Sequence, residues 1–132
     1  MKKSGILHPE LNKLISETGH TDEIVITDAG LPLPEEVNTR IDLALKEGTV
    51  PFIELLQTVI NELAVEKIIL AEEIKTVSPK IHKEILNCFL DAEIEYLSHV
   101  DFKERTKGAR GLVRSGEFTP FANVILVGGV VY

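Results

Sequence analysis

Three features of the sequence predict an α/β fold, three-layer α/β/α, with helices on both sides of a largely parallel mixed sheet. Short apolar runs such as Glu23-Ile24-Val25-Ile26-Thr27 read as buried strands. Stretches with apolar residues at helical spacing lie between them. Turn residues are spread evenly, with no repeat, low-complexity tract or Gly/Ser linker, so residues 1–132 read as one domain. Strands that alternate with helices favour parallel pairing.

Leu11, Leu14, Ile15 and Thr18 fall at helical spacing after His8-Pro9. Proline suits the first helical turn, and Gly19 suits the position just past the end. The run Glu23–Thr27 ends in Asp28-Ala29-Gly30, where a turn begins. Leu31-Pro32-Leu33-Pro34 then blocks regular structure, since neither proline donates a backbone hydrogen bond. Ile41, Leu43 and Leu45 alternate with Asp42 and Ala44, which predicts a second strand. Gly48 and Pro51 frame the start of the clearest helix, whose stripe is Phe52, Leu55, Leu56, Val59, Ile60 and Leu63.

Lys67 to Ala71 is the next buried strand. Ser78-Pro79 predicts a cap and first turn for a helix with Ile81, Ile85, Leu86 and Phe89 inward. A strand around Ile94 and Tyr96 follows. Ser98 with Asp101 resembles a capping arrangement for a short helix ending near Gly108. Leu112-Val113 and Asn123 to Tyr132 close the chain as strands. Within the last run, Gly128-Gly129 marks a bulge or a close backbone approach.

Composition bounds the function. The chain carries 14 Lys+Arg against 21 Asp+Glu, a net charge of −7. Such a surface does not attract phosphate backbones overall, so nucleic-acid binding is not expected. Apolar residues make up 44%, enough for a core. The single cysteine, Cys88, excludes an internal disulfide framework and a multi-cysteine zinc site, and its helix face reads as core. The longest apolar stretch, Val124 to Tyr132, is far short of the roughly 20 residues of a membrane helix. Met1-Lys2-Lys3 is followed by Ser4, Gly5, His8, Pro9 and Glu10 before any apolar run, so no secretory signal is read and a cytoplasmic location is expected. The mean hydropathy of +0.11 is high for a small domain, and an oligomer interface would absorb the excess.

Open α/β sheets place their sites at the carboxyl ends of parallel strands. Asp28, His99 and Asn123 fall at that edge on this reading. His20 precedes the first strand and belongs to the other edge. About seven extended residues would hold His20 and Asp28 roughly 20 Å apart, so a site using both needs two chains. Each residue also has a plain structural role. His20 follows Gly19 and can bond the last helix carbonyls. Asp28 is a natural turn former, and His99 fits a capping turn. His8 and His82 read as surface helix residues. His20, His99 and Asp28 lack close metal-ligand spacing, and no metal is expected. There is no Gly-x-Gly-x-x-Gly after a strand, no phosphate loop and no Gly-x-Ser-x-Gly elbow. Cofactor-free acid–base chemistry and small-molecule binding both remain.

Several segments together resemble the D-ribose pyranase family. They are Met1-Lys2-Lys3, Gly19-His20-Thr21-Asp22, Asp28-Ala29-Gly30-Leu31-Pro32-Leu33-Pro34, Arg40-Ile41-Asp42-Leu43-Ala44-Leu45 and Ala71-Glu72-Glu73-Ile74-Lys75. His99 with Phe102-Lys103, Arg114-Ser115-Gly116-Glu117 and Pro120-Phe121-Ala122-Asn123 complete the likeness, end to end and in order. The related fucose mutarotases usually show Gly-His-Gly-Asp, where this chain has Thr21 third. The resemblance implies a cofactor-free isomerase that interconverts the pyranose and furanose forms of D-ribose. It implies a homodecamer of two stacked pentameric rings, with sites between subunits. By the same resemblance His20 is the proton donor, and Asp28, His99, Phe121, Ala122 and Asn123 bind the sugar, with Lys103 nearby. Where the family commonly has tyrosine, this chain has Phe121 and lacks that hydroxyl. The alternatives are a non-catalytic ribose-binding accessory protein of an uptake system and a mutarotase for another sugar such as fucose.

Overall fold

Side chains alternate across every central strand, and that alternation builds a core on each face of one sheet. The protein is described by a computed structural model covering residues 1–132. Along the chain come α1 (Pro9–Glu17), β1 (Glu23–Thr27), β2 (Thr39–Asp42), α2 (Phe52–Ile60), β3 (Val65–Ala71) and α3 (Ile74–Val77). Then follow α4 (Pro79–Asn87), β4 (Glu93–Leu97), α5 (His99–Thr106), β5 (Gly111–Arg114) and β6 (Val124–Gly128).

The six strands form one sheet in the order β2-β5-β1-β6-β3-β4. β5 pairs in parallel with β1 and β2, and β3 with β4. Only β6 runs antiparallel, between β1 and β3. Ile24, Ile26, Ile68, Leu70, Val124 and Leu126 face α1, α2 and α4. Val25, Ile69, Ala71, Ile125 and Val127 face Phe102 of α5 with Leu31 and Val37. The expected three layers are present, and the second helical layer is a single helix. No helix is long and apolar enough to cross a membrane.

Some elements differ from expectation, each for a local reason. The second strand is Thr39–Asp42 rather than residues 41–45. Its partner β5 ends at Arg114, opposite Asp42, so the ladder has no further support. Leu45 is exposed, and the chain turns back through the Lys46–Thr49 bridge. α2 stops at Ile60, before Leu63. Ser78 does not cap α4 with its side chain, because its Oγ donates to Pro120 O at 2.7 Å. The four-residue α3 was not anticipated. His8 is not a plain surface residue, since its Nδ1 accepts the Leu11 N–H and caps α1. Nor is His82, whose Nε2 pairs with the Tyr96 hydroxyl at 2.8 Å. Cys88 ends α4 half-buried, its Sγ donating to Glu84 O at 3.3 Å. β6 stops at Gly128, so residues 129–132 continue without strand pairing.

Candidate active site

β1, β3, β4 and β5 end at one edge of the sheet, and the reversed β6 begins there. Residues just beyond those ends share that edge. Asp28 follows β1, Glu73 follows β3, His99 follows β4, and Asn123 precedes β6.

Asp28 is held on three sides. Its Oδ1 accepts the Gly30 and Leu31 N–H groups, each at 2.9 Å, the turn role expected of an Asp before Ala-Gly. Its Oδ2 accepts from Asn123 Nδ2 at 2.9 Å, and its own N–H donates to Asn123 Oδ1 at 2.9 Å. Burial pushes the Asp28 carboxyl above the ordinary range, against the bonds from Gly30, Asn123 and Leu31 and the nearby charge of His99. Such a carboxyl can give or take a proton more readily near neutral pH than an exposed aspartate.

His99 opens α5. Its backbone N–H donates to both oxygens of Glu73, at 3.1 and 3.0 Å, which holds the Glu73 carboxyl below its usual range. Ser98 caps the helix through the Asp101 N–H, as the spacing predicts. The His99 ring meets Phe121 edge-on, with centroids 4.9 Å apart, and its Nδ1 is buried without a partner. Phe121 has φ 61°, an uncommon backbone state for a bulky residue. A cleft of about 300 Å³ opens beside Asp28, lined also by Gly30, Glu117, Phe118 and Thr119. Burial opposes ionisation of Glu117, yet bonds from the Thr119 hydroxyl and from backbone N–H groups outweigh it and hold the carboxyl low.

Two of the expected sugar-binding residues are not at the surface. Ala122 and Asn123 have no exposed area within the chain. Asn123 acts on Asp28, and Ala122 packs in the core. Lys103 faces a different groove, beside Pro32 and Pro34.

His20 lies at the opposite edge, as its place before β1 requires. Its Nε2 pairs with Glu66 Oε2 at 2.9 Å, both side chains about half exposed. The expectation that it bonds the last carbonyls of α1 is not met, because Glu66 at the start of β3 takes the ring. Thr21 beside it has φ 68°. Thr21 and Phe121 are the two non-glycine residues of the chain with positive φ, and strain of this kind gathers at functional sites. Thr21 follows His20, and Phe121 meets the His99 ring.

A larger cleft of about 510 Å³ lies next to Thr21. Its arginines are already paired, Arg110 with Asp22 and Arg105 with Glu23. The smaller cleft has the better chemistry, because the perturbed Asp28 carboxyl lines it. His20, His99 and Asp28 do not gather as a metal-ligand set. Glu66 and Glu73 are the residues that sequence reasoning missed. Glu73 sits in a motif that carried the family resemblance, but nothing there marked its bond to the His99 N–H.

The family model described as the RbsD / FucU transport protein family matches residues 1–131. A curated relative named D-ribose pyranase, from Geobacillus thermodenitrificans, is 54% identical over 130 residues, 98% of each chain. The solved structure of Bacillus subtilis RbsD complexed with D-ribose is 50% identical, covers 100% of both chains and superposes with a TM-score of 0.95. A fucose mutarotase from Streptococcus pneumoniae, in complex with L-fucose, is 33% identical, with coverage of 96% and 95% and a TM-score of 0.80. The match over residues 1–131 and the full-length superposition agree: the chain belongs to the RbsD / FucU transport protein family.

Proposed function

We propose that this protein is a D-ribose pyranase, a cofactor-free isomerase that exchanges the pyranose and furanose forms of D-ribose in cytoplasmic ribose utilisation. The observation that carries the reading is full-length likeness to relatives of that name, with 54% identity to one of them. The superposition on a ribose complex supports the same substrate.

The exchange passes through the open-chain aldehyde. A base takes the proton of the anomeric hydroxyl while an acid protonates the ring oxygen, and a different hydroxyl then closes the ring. No electron or phosphoryl group moves. Imidazole suits the proton transfers because its ordinary pKa of about 6.5 lies near working pH. Positioned transfer of this kind contributes about 10²–10⁴-fold. On this reading His20 carries the proton. Asp28, held by Asn123, and His99 fix the sugar hydroxyls, and the Phe121 ring covers an apolar face of the sugar.

The five residues of β1 separate the two groups by roughly 17 Å. One copy does not join them, so we place the site between copies, His20 of one meeting Asp28 and His99 of the next. A decamer of two pentameric rings is the assembly this reading adopts, and light scattering measures it.

Exchange spectroscopy on D-ribose tests the function, with L-fucose as comparison. Wild type accelerates exchange above the buffer rate, and His20→Ala loses the acceleration while the oligomer persists. Ribose binding without acceleration would favour an accessory protein instead. Faster exchange on L-fucose than on D-ribose would favour a mutarotase.

A further inference from the structure

Glu66 is the acidic side chain bonded to His20, and the reading of His20 as proton carrier leaves it without a role. The geometry points to Glu66 as a positioning residue that fixes the His20 tautomer, so that Nδ1 is the nitrogen that exchanges protons with the sugar. This inference rests on the proposed role of His20 and goes one atom further.

The argument starts from hydrogen-bond capacity. A carboxylate only accepts, so the 2.9 Å contact from Nε2 to Glu66 Oε2 requires the hydrogen on Nε2. The neutral ring then keeps its lone pair on Nδ1, and the protonated ring gains its transferable hydrogen there. Asp22, the other carboxylate of this turn, is occupied by the Gly19 N–H at 2.8 Å and by Arg110 at 2.7 Å. It does not compete for the ring.

The backbone around the pair keeps it in place. The Thr21 N–H donates to Gly128 O at 2.9 Å, and the Gly128 N–H donates to Asp22 O at 2.8 Å. The Gly129 N–H donates to Ala64 O at 2.8 Å, two residues before Glu66. The end of β6 therefore ties the His20 turn and the Glu66 strand to one ladder. Gly128 has no room for a side chain at that approach, and Gly129 has little. A Cβ on Gly128 would stand 2.6 Å from Gly19 O, and one on Gly129 would stand 3.2 Å from Glu66 Cβ and N. This gives the Gly128-Gly129 pair a functional reading: it lets the turn and the strand close until imidazole and carboxylate meet.

The test uses the full-length protein and D-ribose. Exchange rates against ribose concentration give kcat and KM, and long-range ¹H–¹⁵N correlation of ¹⁵N-histidine protein reports the tautomer. The His20 signals are assigned by their loss in His20→Ala. Glu66→Ala is expected to lower kcat about tenfold, with KM held within about twofold, and to turn the single Nε2–H pattern into a mixture. Glu66→Gln keeps an acceptor at the same reach and should restore most of both. Unchanged kcat in Glu66→Ala would overturn the inference. So would a fall in kcat with an unaltered tautomer pattern, or a Gln variant no better than Ala. Exchange that survives His20→Ala would instead sink the reading of His20 itself, and the role of Glu66 with it.

Discussion

Asn123→Ala removes the clamp on Asp28 and reaches stability and chemistry together. Asn123 is fully buried, and both ends of its amide bond Asp28 at 2.9 Å. One bond holds a backbone N–H, and its loss orphans that donor. The other is charge-assisted when Asp28 is ionised. At about 1 kcal/mol for the first and about 1.5–3 for the second, the variant should lose roughly 2–4 kcal/mol near neutral pH. For a domain of this size that corresponds to a fall in Tm of roughly 8–15 °C.

The pH dependence of that loss has a definite sign. Burial already holds the folded Asp28 carboxyl above its unfolded value of 3.8. The stability it contributes is complete below pH 3.8 and is lost as pH rises through the folded value. Removing the Asn123 donor disfavours the charged form further. The cost of the substitution should therefore be largest near neutral pH and shrink as the solution is acidified. Urea unfolding at pH 7 and in acid, at one fixed protein concentration, measures it. A loss below about 1 kcal/mol at pH 7, or a larger loss in acid, would refute the clamp.

Two further substitutions probe the backbone. Thr21→Gly should raise Tm, because a β-branched residue at φ 68° is strained and glycine is not; the gain should be about 1 kcal/mol, and a lower Tm would contradict it. Gly116→Ala should cost about 3 kcal/mol or more. Its Cβ would stand 2.1 Å from Thr49 O, in backbone that also receives the Gly116 N–H at Val50 O, so wild-type stability would show that the loop packs otherwise.

Legibility followed the range of the interaction. β1 runs from Glu23 to Thr27, as the apolar run marks, because a central strand is apolar on both faces. Ser98 caps α5 as read, since its partner is three residues away. Ser78 does not cap, because its hydroxyl serves a carbonyl 42 residues distant. The strand read at residues 41–45 exists but stops at Asp42, because alternation marks a strand only while a neighbouring strand continues. The site shows the same limit. Asp28, His99 and Asn123 were legible as polar groups at strand ends. That Asn123 serves Asp28 was not, since the two stand 95 positions apart. Glu66 sits beside Lys67 in a strand with charged positions and has the pattern of an ordinary solvated residue.

The surplus apolar character of the sequence now has an address. Phe118 is 63% exposed and lines the cleft beside Asp28. Val131 and Tyr132 are exposed at 90% and 101% and extend from Gly129, which lies against Glu66. Apolar side chains thus stand in the open next to both groups that one chain keeps apart. A second copy that brought His20 to Asp28 would have to approach these same two places. Burying such side chains yields about 25 cal/mol per Å² of apolar area, so assembly and completion of the site would draw on the same surface. A variant that exchanges Phe118 for a charged residue should then lose assembly and ring exchange together.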